Sequence, residues 1–209
     1  VSPLAVVNLA LARVNSTTLT SLTENRKEAA VAGAAYDLLR TALLREFNWQ
    51  FSLRRASLAP EVNPPEFGFQ FSYLKPTDCL RFIGAFEDPE DSRVTMTPRT
   101  FAFRFEGNRV LADKNPLLML YVADVTNVAD MDPMFVDVLT WRLAAEFSLS
   151  LAADKSGFQN MWELYERRLR KARQTGSIEQ PGEVITTDNR FGVDGMVGYG
   201  FTGRNPARI

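Results

Sequence analysis

Five cations crowd one short stretch of the sequence: Arg167, Arg168, Arg170, Lys171 and Arg173, with only Glu163 and Glu166 nearby to oppose them. Guanidinium and ammonium groups at that density bind phosphates or the carboxylates of a second protein. They also complement the dipole at a helix C-terminus, which accounts for part of the run without any partner. The net charge of the whole chain is -1, from 24 Lys plus Arg against 25 Asp plus Glu, and this favours the protein partner over DNA. Glu163 and Glu166 have the types of an acid and base pair, but Arg167 and Arg170 stand four residues after them and read as surface partners. Asp124, Asp130, Asp132 and Asp137 lack the spacing and central glycine of a calcium loop. Asp132 reads as a helix cap and the rest mostly as solvated loop positions. The run Gly195 to Gly200 has the glycines of a phosphate loop without the Lys-Ser/Thr ending or a following helix. Trp49 and Phe51, beside Arg54 and Arg55, have the types of a nucleic-acid stack, although at a helix-to-strand junction such aromatics close a core and the arginines stay in water.

What is missing restricts the chemistry further. The sequence has no histidine and one cysteine. That excludes a serine-histidine-acid triad, imidazole metal ligation, an internal disulfide and a paired-thiol redox site. Cys79, among Leu80, Phe82 and Ile83, reads as a buried, inert thiol. Hydrophobic residues make up 45% and charged residues 23% of the 209, the balance of a globular chain. No apolar run approaches a membrane span, and Val1 to Ala12 lacks the basic start of a secretory signal. The expectation is a soluble protein made in the cytoplasm, with no metal and no cofactor.

The elements that position these residues change period along the chain. Ser2 followed by Pro3 opens a helix to about Val14. A longer helical pattern covers about Thr23 to Trp49, with Val31, Ala35, Leu38 and Ala42 on one ridge and Leu39, Leu43 and Phe47 on the next, all expected to be buried. From Phe51 to Ala123 the period becomes two: Phe67, Phe69, Phe71 and Tyr73, then Phe101, Phe103 and Phe105 before a turn at Glu106-Gly107-Asn108. Helical spacing returns from Asp132-Pro133 to about Ala153, breaks at Asp154 to Gly157, and resumes from about Phe158 to Arg173. The predicted fold is α+β and mainly α. It is an antiparallel helical bundle (1–50 and 131–174) with an inserted β-rich subdomain (51–125) and an extended glycine-rich C-terminal arm (175–209). From Gly182 to Ile209 the arm holds six of the 12 glycines, with Phe191, Tyr199 and Phe201 spaced among them as anchors for a partner.

The blocks Tyr36 to Arg40, Leu43 to Phe51 and Arg54 to Ala59 resemble the tail tubular protein A family, the head-to-tail adaptors of short-tailed bacteriophages. Phe69 to Tyr73 followed by Pro76 to Arg81 is similar to that family's tyrosine, leucine-proline, aspartate-cysteine-leucine-arginine signature. Asp132 to Phe135 with Leu139, Arg142, Leu143 and Ala144 resembles its later helix. The likeness spans about residues 4 to 173 and departs at Lys75, where the family usually has leucine, and at Arg13, where glycine is common. It implies a non-enzymatic virion protein of the tail and neck: a dodecameric ring beneath the portal, joined below to a nozzle of the tail tubular protein B type, with tail fibres attached near that junction and DNA passing through the channel. On that view Arg167, Arg168, Arg170, Lys171 and Arg173 meet a neighbouring subunit or partner, and Phe191, Tyr199 and Phe201 dock on the portal. The alternative is a DNA-binding accessory protein using the same basic face, and third comes a phosphate-handling enzyme with carboxylate-held Mg²⁺.

Overall fold

The structure, a computed structural model, describes residues 1–86, 101–151 and 154–178. Helix α1 (Pro3–Arg13) starts where Ser2 Oγ accepts the Ala5 amide at 3.2 Å. Helix α2 covers Lys27–Glu46 and begins later than its pattern suggests. The Glu24 carboxylate is occupied in the preceding turn, where it accepts from the Ser21 amide at 2.8 Å and from the amide and hydroxyl of Thr20. At its other end the Trp49 indole donates to the Leu43 carbonyl at 2.9 Å, satisfying one of the last-turn oxygens that a helix leaves unpaired.

Six strands follow among the described residues: β1 (Leu53–Leu58), β2 (Phe71–Leu74), β3 (Cys79–Phe86), β4 (Phe103–Glu106), β5 (Arg109–Ala112) and β6 (Leu117–Ala123). They form two antiparallel three-stranded sheets, ordered β1-β6-β3 and β2-β5-β4. In the second sheet Glu106 pairs with Arg109 across the two-residue turn Gly107-Asn108, and Gly107 supplies the positive φ of 56° that such a turn demands. The alternation from Phe67 predicts a longer β2 than is present. Gly68 turns into the left-handed region at φ 90°, the Gln70 amide goes to the Asp113 carboxylate at 2.8 Å, and Phe67 is left 86% exposed.

Helix α3 (Pro133–Ser150) is capped by Asp132, whose Oδ1 accepts from the amides of Met134 at 2.6 Å and Phe135 at 3.3 Å. Helix α4 runs Lys155–Ile178. The expected break before it is a cap: Asp154 Oδ1 accepts the Gly157 amide at 2.9 Å, and a Cβ on Gly157 would collide with the same carboxylate. The helix therefore starts earlier and ends later than the sequence pattern predicts, and residues 175–178, assigned above to the arm, are helical.

An antiparallel bundle with an inserted sheet is not what these elements build; the fold is a mixed α+β arrangement. Helix α3 is central, with α1, α2 and α4 packed on it, and α2 also packs on β3 and β6. Its buried residues lie on almost every side, and its buried hydroxyls bond back into its own turns, Thr140 to Val136 O at 2.6 Å and Ser148 to Ala144 O at 3.1 Å. Strand β6 is the other centre. It is buried nearly throughout: Val122 joins the helical core, Met119, Tyr121 and Ala123 cluster with Cys79 and Phe82, and Leu117 joins Tyr73, Val110 and Ala112 of the second sheet. The run Leu117 to Ala123 is continuously apolar because both faces of its sheet are covered. Phe82 of β3 meets the rings of Phe103 and Phe105 at 5.1 and 5.0 Å, so an aromatic cluster exists, but it lies between two sheets. One expected ridge is buried only in part: Val31 and Ala35 pack against the core, but Leu38 is 67% exposed on the outer face of α2, together with Ala42.

Candidate interaction surface

The side chains of the sequence blocks singled out above converge at the joint between helices and sheet. Arg40, on the inner face of α2, is only 3% exposed. Its Nη1 donates to Asp124 Oδ1 and to the Val125 carbonyl at 2.7 Å, and its Nη2 stands 3.3 Å from Asp37 Oδ1. Asp124 follows β6 directly, and its own amide donates to the Asp78 carbonyl at 2.7 Å. Arg45 donates to the Leu80 carbonyl and Arg81 to Asn48 Oδ1. Beneath lie the rings of Trp49, Phe51 and Phe135, with Trp49 5.0 Å and Phe51 5.1 Å from Phe135. Trp49 and Phe51 thus close a core while Arg54 and Arg55 are exposed, as expected. Asp124 is not a solvated loop carboxylate, and neither is Asp137 of α3, which holds Arg13 at 2.8 Å and Arg168 at 3.7 Å. Cys79 is half-buried against Met119 and Tyr121, and burial pushes its thiol up, which disfavours the reactive thiolate.

The basic run on α4 divides by direction. Tyr165, Leu169 and Ala172 face the core. On one flank Arg168 reaches Asp137; on the other Arg173 holds Glu46 of α2 at 3.0 Å, with its guanidinium 5.5 Å from the Phe47 ring. These two fasten α4 to its neighbours. Arg170 pairs along the helix with Glu166 at 3.6 Å, whereas no carboxylate among the described residues lies within ion-pair distance of Arg167 or Lys171, both exposed. Of the five cations, Arg167, Arg170 and Lys171 therefore face outward. Phe191, Tyr199 and Phe201 lie outside the described residues, as does the Gly195 to Gly200 run.

Two buried tyrosines beside carboxylates give the fold a limit at high pH. Burial first, then the charge of Glu46, pushes the Tyr165 hydroxyl up to about 12; burial first, then Asp78, does the same to Tyr121. Unfolded tyrosine ionises near 10, so between pH 10 and 12 the unfolded chain releases protons that the folded chain retains. Stability is therefore fully present below pH 10 and falls as pH rises toward 12. Urea midpoints at pH 9 and 11 should show that fall, and Tyr165→Phe should flatten it; an equal slope in the variant would remove Tyr165 as its source.

Three surface depressions occur among the described residues, one of them a shallow site of about 190 Å³ between Pro133, Met134 and Asp137 of α3 and Arg168 and Lys171 of α4. A groove of about 630 Å³ runs beside the second sheet, where Glu61 accepts from Arg109 at 2.7 Å and from the Ser72 hydroxyl at 2.6 Å, bonds that hold its carboxyl below the usual range. A smaller one, about 220 Å³, opens between the Trp49 segment, the start of α3 and the last turns of α4. Among the described residues no group of three His, Cys, Asp or Glu side chains stands close enough to hold a metal, and no helix is long and apolar enough to cross a membrane. The sequence matches no protein-family model. A search of curated proteins likewise gives no match.

Proposed function

We propose that the chain is a structural connector of a phage virion, a non-enzymatic adaptor that assembles as a ring between portal and tail nozzle and surrounds the path of DNA. The observation that carries this reading is the joint itself. Blocks that resemble the tail tubular protein A family, separated by tens of residues, meet in one place: Tyr36 to Arg45 and Asn48 to Phe51, then Asp78 to Arg81, then Phe135. The outward face of Arg167, Arg170 and Lys171 is the contact with a neighbouring subunit, since a ring needs a heterologous surface whose charge meets a different surface on the next copy. A dodecamer, a virion location and tail-fibre attachment belong to the same proposal.

The test is to mix the protein with a portal and examine the particles by negative-stain microscopy, where closed rings on the portal are expected and unattached monomers would overturn the reading. Arg167→Glu with Lys171→Glu should block those rings and shift stability by no more than about 0.5 kcal/mol, as substitutions at exposed positions do. The exposed cations also suit a DNA-binding accessory protein. That second reading gains if the double variant forms rings normally but loses a salt-sensitive mobility shift with DNA.

A further inference from the structure

The depression between the Trp49 segment, the start of α3 and the last turns of α4 has the form of a receptor site. Its wall is largely apolar, with Trp49, Phe51, Met131 and Met134 interrupted by the polar Asn48, Gln50 and Thr175, and its volume of about 220 Å³ suits one aromatic side chain. Asp130 and Asp132 stand at its rim, and no lysine or arginine lines it. Asp132 is engaged through Oδ1 with the amides that begin α3, and Asp130 accepts from Asn127 at 3.1 Å, so both carboxylates keep oxygens for a further donor.

We propose that this groove receives Arg190 and Phe191 of the chain's own C-terminal segment, the ring filling the apolar floor and the guanidinium meeting Asp130 and Asp132. Two observations select that occupant. The first is where the described chain ends: Gly176 is part of the groove wall and α4 finishes at Ile178, so the chain departs from the edge of the groove. Phe191 follows 13 residues later, a stretch that spans up to ~45 Å fully extended and ~20 Å as a flexible coil, enough to return without a long loop. The second is charge. Arg190 directly precedes Phe191, whereas Tyr199 and Phe201 are flanked by Gly198, Gly200 and Thr202, with no cation adjacent. An aromatic anchor next to an arginine fits an apolar floor under an acidic rim. Docking in this way leaves Tyr199 and Phe201 available to a partner, and it does not depend on whether the chain forms a ring.

The experiment uses the full-length isolated protein with Phe191 replaced by p-azidophenylalanine, irradiated at low concentration, and the linked peptides mapped by mass spectrometry. Links within one chain to the 47–51 or 130–134 segments are the expected result. Links between two copies, links elsewhere, or a yield no greater than with the same label at position 201 would overturn the proposal. Asp130→Lys, checked by circular dichroism to be folded, should lower the specific yield by at least ~10-fold because it sets a cation against Arg190. An unchanged yield would equally overturn it.

Discussion

Asp124→Ala is expected to destabilise the protein by about 3–5 kcal/mol, the cost of leaving a buried charge without its partner. Arg40 is 3% exposed and Asp124 29%, so its guanidinium recovers only part of its hydration when Asp124 is removed, and what remains is the Val125 carbonyl and Asp37, a carboxylate 77% exposed. The loss should appear as a lower urea midpoint with an unchanged slope. Most of the effect is the stranded cation rather than the attraction itself. Adding Arg40→Met to Asp124→Ala should therefore return stability to within ~1.5 kcal/mol of the starting protein, because an apolar side chain of similar length replaces the unpaired charge. A double variant as unstable as the single one would show instead that Asp124 acts through its backbone position.

Phe135→Ala should be comparably severe, about 3–5 kcal/mol. Its ring is fully buried where the first turn of α3 meets the segment after α2, with Trp49 and Phe51 both edge-on to it. Removing it takes away the partner of two other rings and leaves a cavity at the contact between two helices and the sheet. Near-ultraviolet circular dichroism should weaken as Trp49 loses its fixed neighbour, while Phe135→Leu, which keeps most of the volume, should cost only about 1.5 kcal/mol. A cost below about 1 kcal/mol for the alanine variant would mean that the region collapses to refill the space.

Local signals were readable from the sequence, and long-range ones were not. Ser2 before Pro3 and Asp132 before Pro133 marked helix starts because a cap is decided within four residues. The Gly107-Asn108 turn was equally plain. Arg40 could not be recognised as a core residue: a cation in a helical repeat looks solvated until its partner, Asp124, is brought to it by the sheet. The helical spans at both ends suggested a bundle, because periodicity reports which face of an element is apolar and not what covers it. The apolar run of β6 did carry the missing information, since a strand without alternation is covered on both sides. Leu38 shows the opposite error, the continuation of a regular ridge that the described residues cover at Val31 and Ala35 and leave open at Leu38 and Ala42. In the basic run, the sequence identified all five cations but not that Arg168 and Arg173 turn back to Asp137 and Glu46.

The central position of β6 governs how the chain acquires its structure during synthesis. Its register partners in β1 are made roughly 60 residues earlier, and α1 and α2 likewise wait for α3, which follows β6. Closing a loop of that length carries an entropy cost before any pairing is gained, so folding should be slow for a chain this rich in helix. While the ribosome is still extending the chain through residue 123, β1 and β3 have no strand between them and the apolar sides of α1 and α2 have no helix to cover them. The nascent half-chain is thus the stage most prone to aggregation, and a translational pause placed before β6 should lower the soluble yield more than one placed after α3.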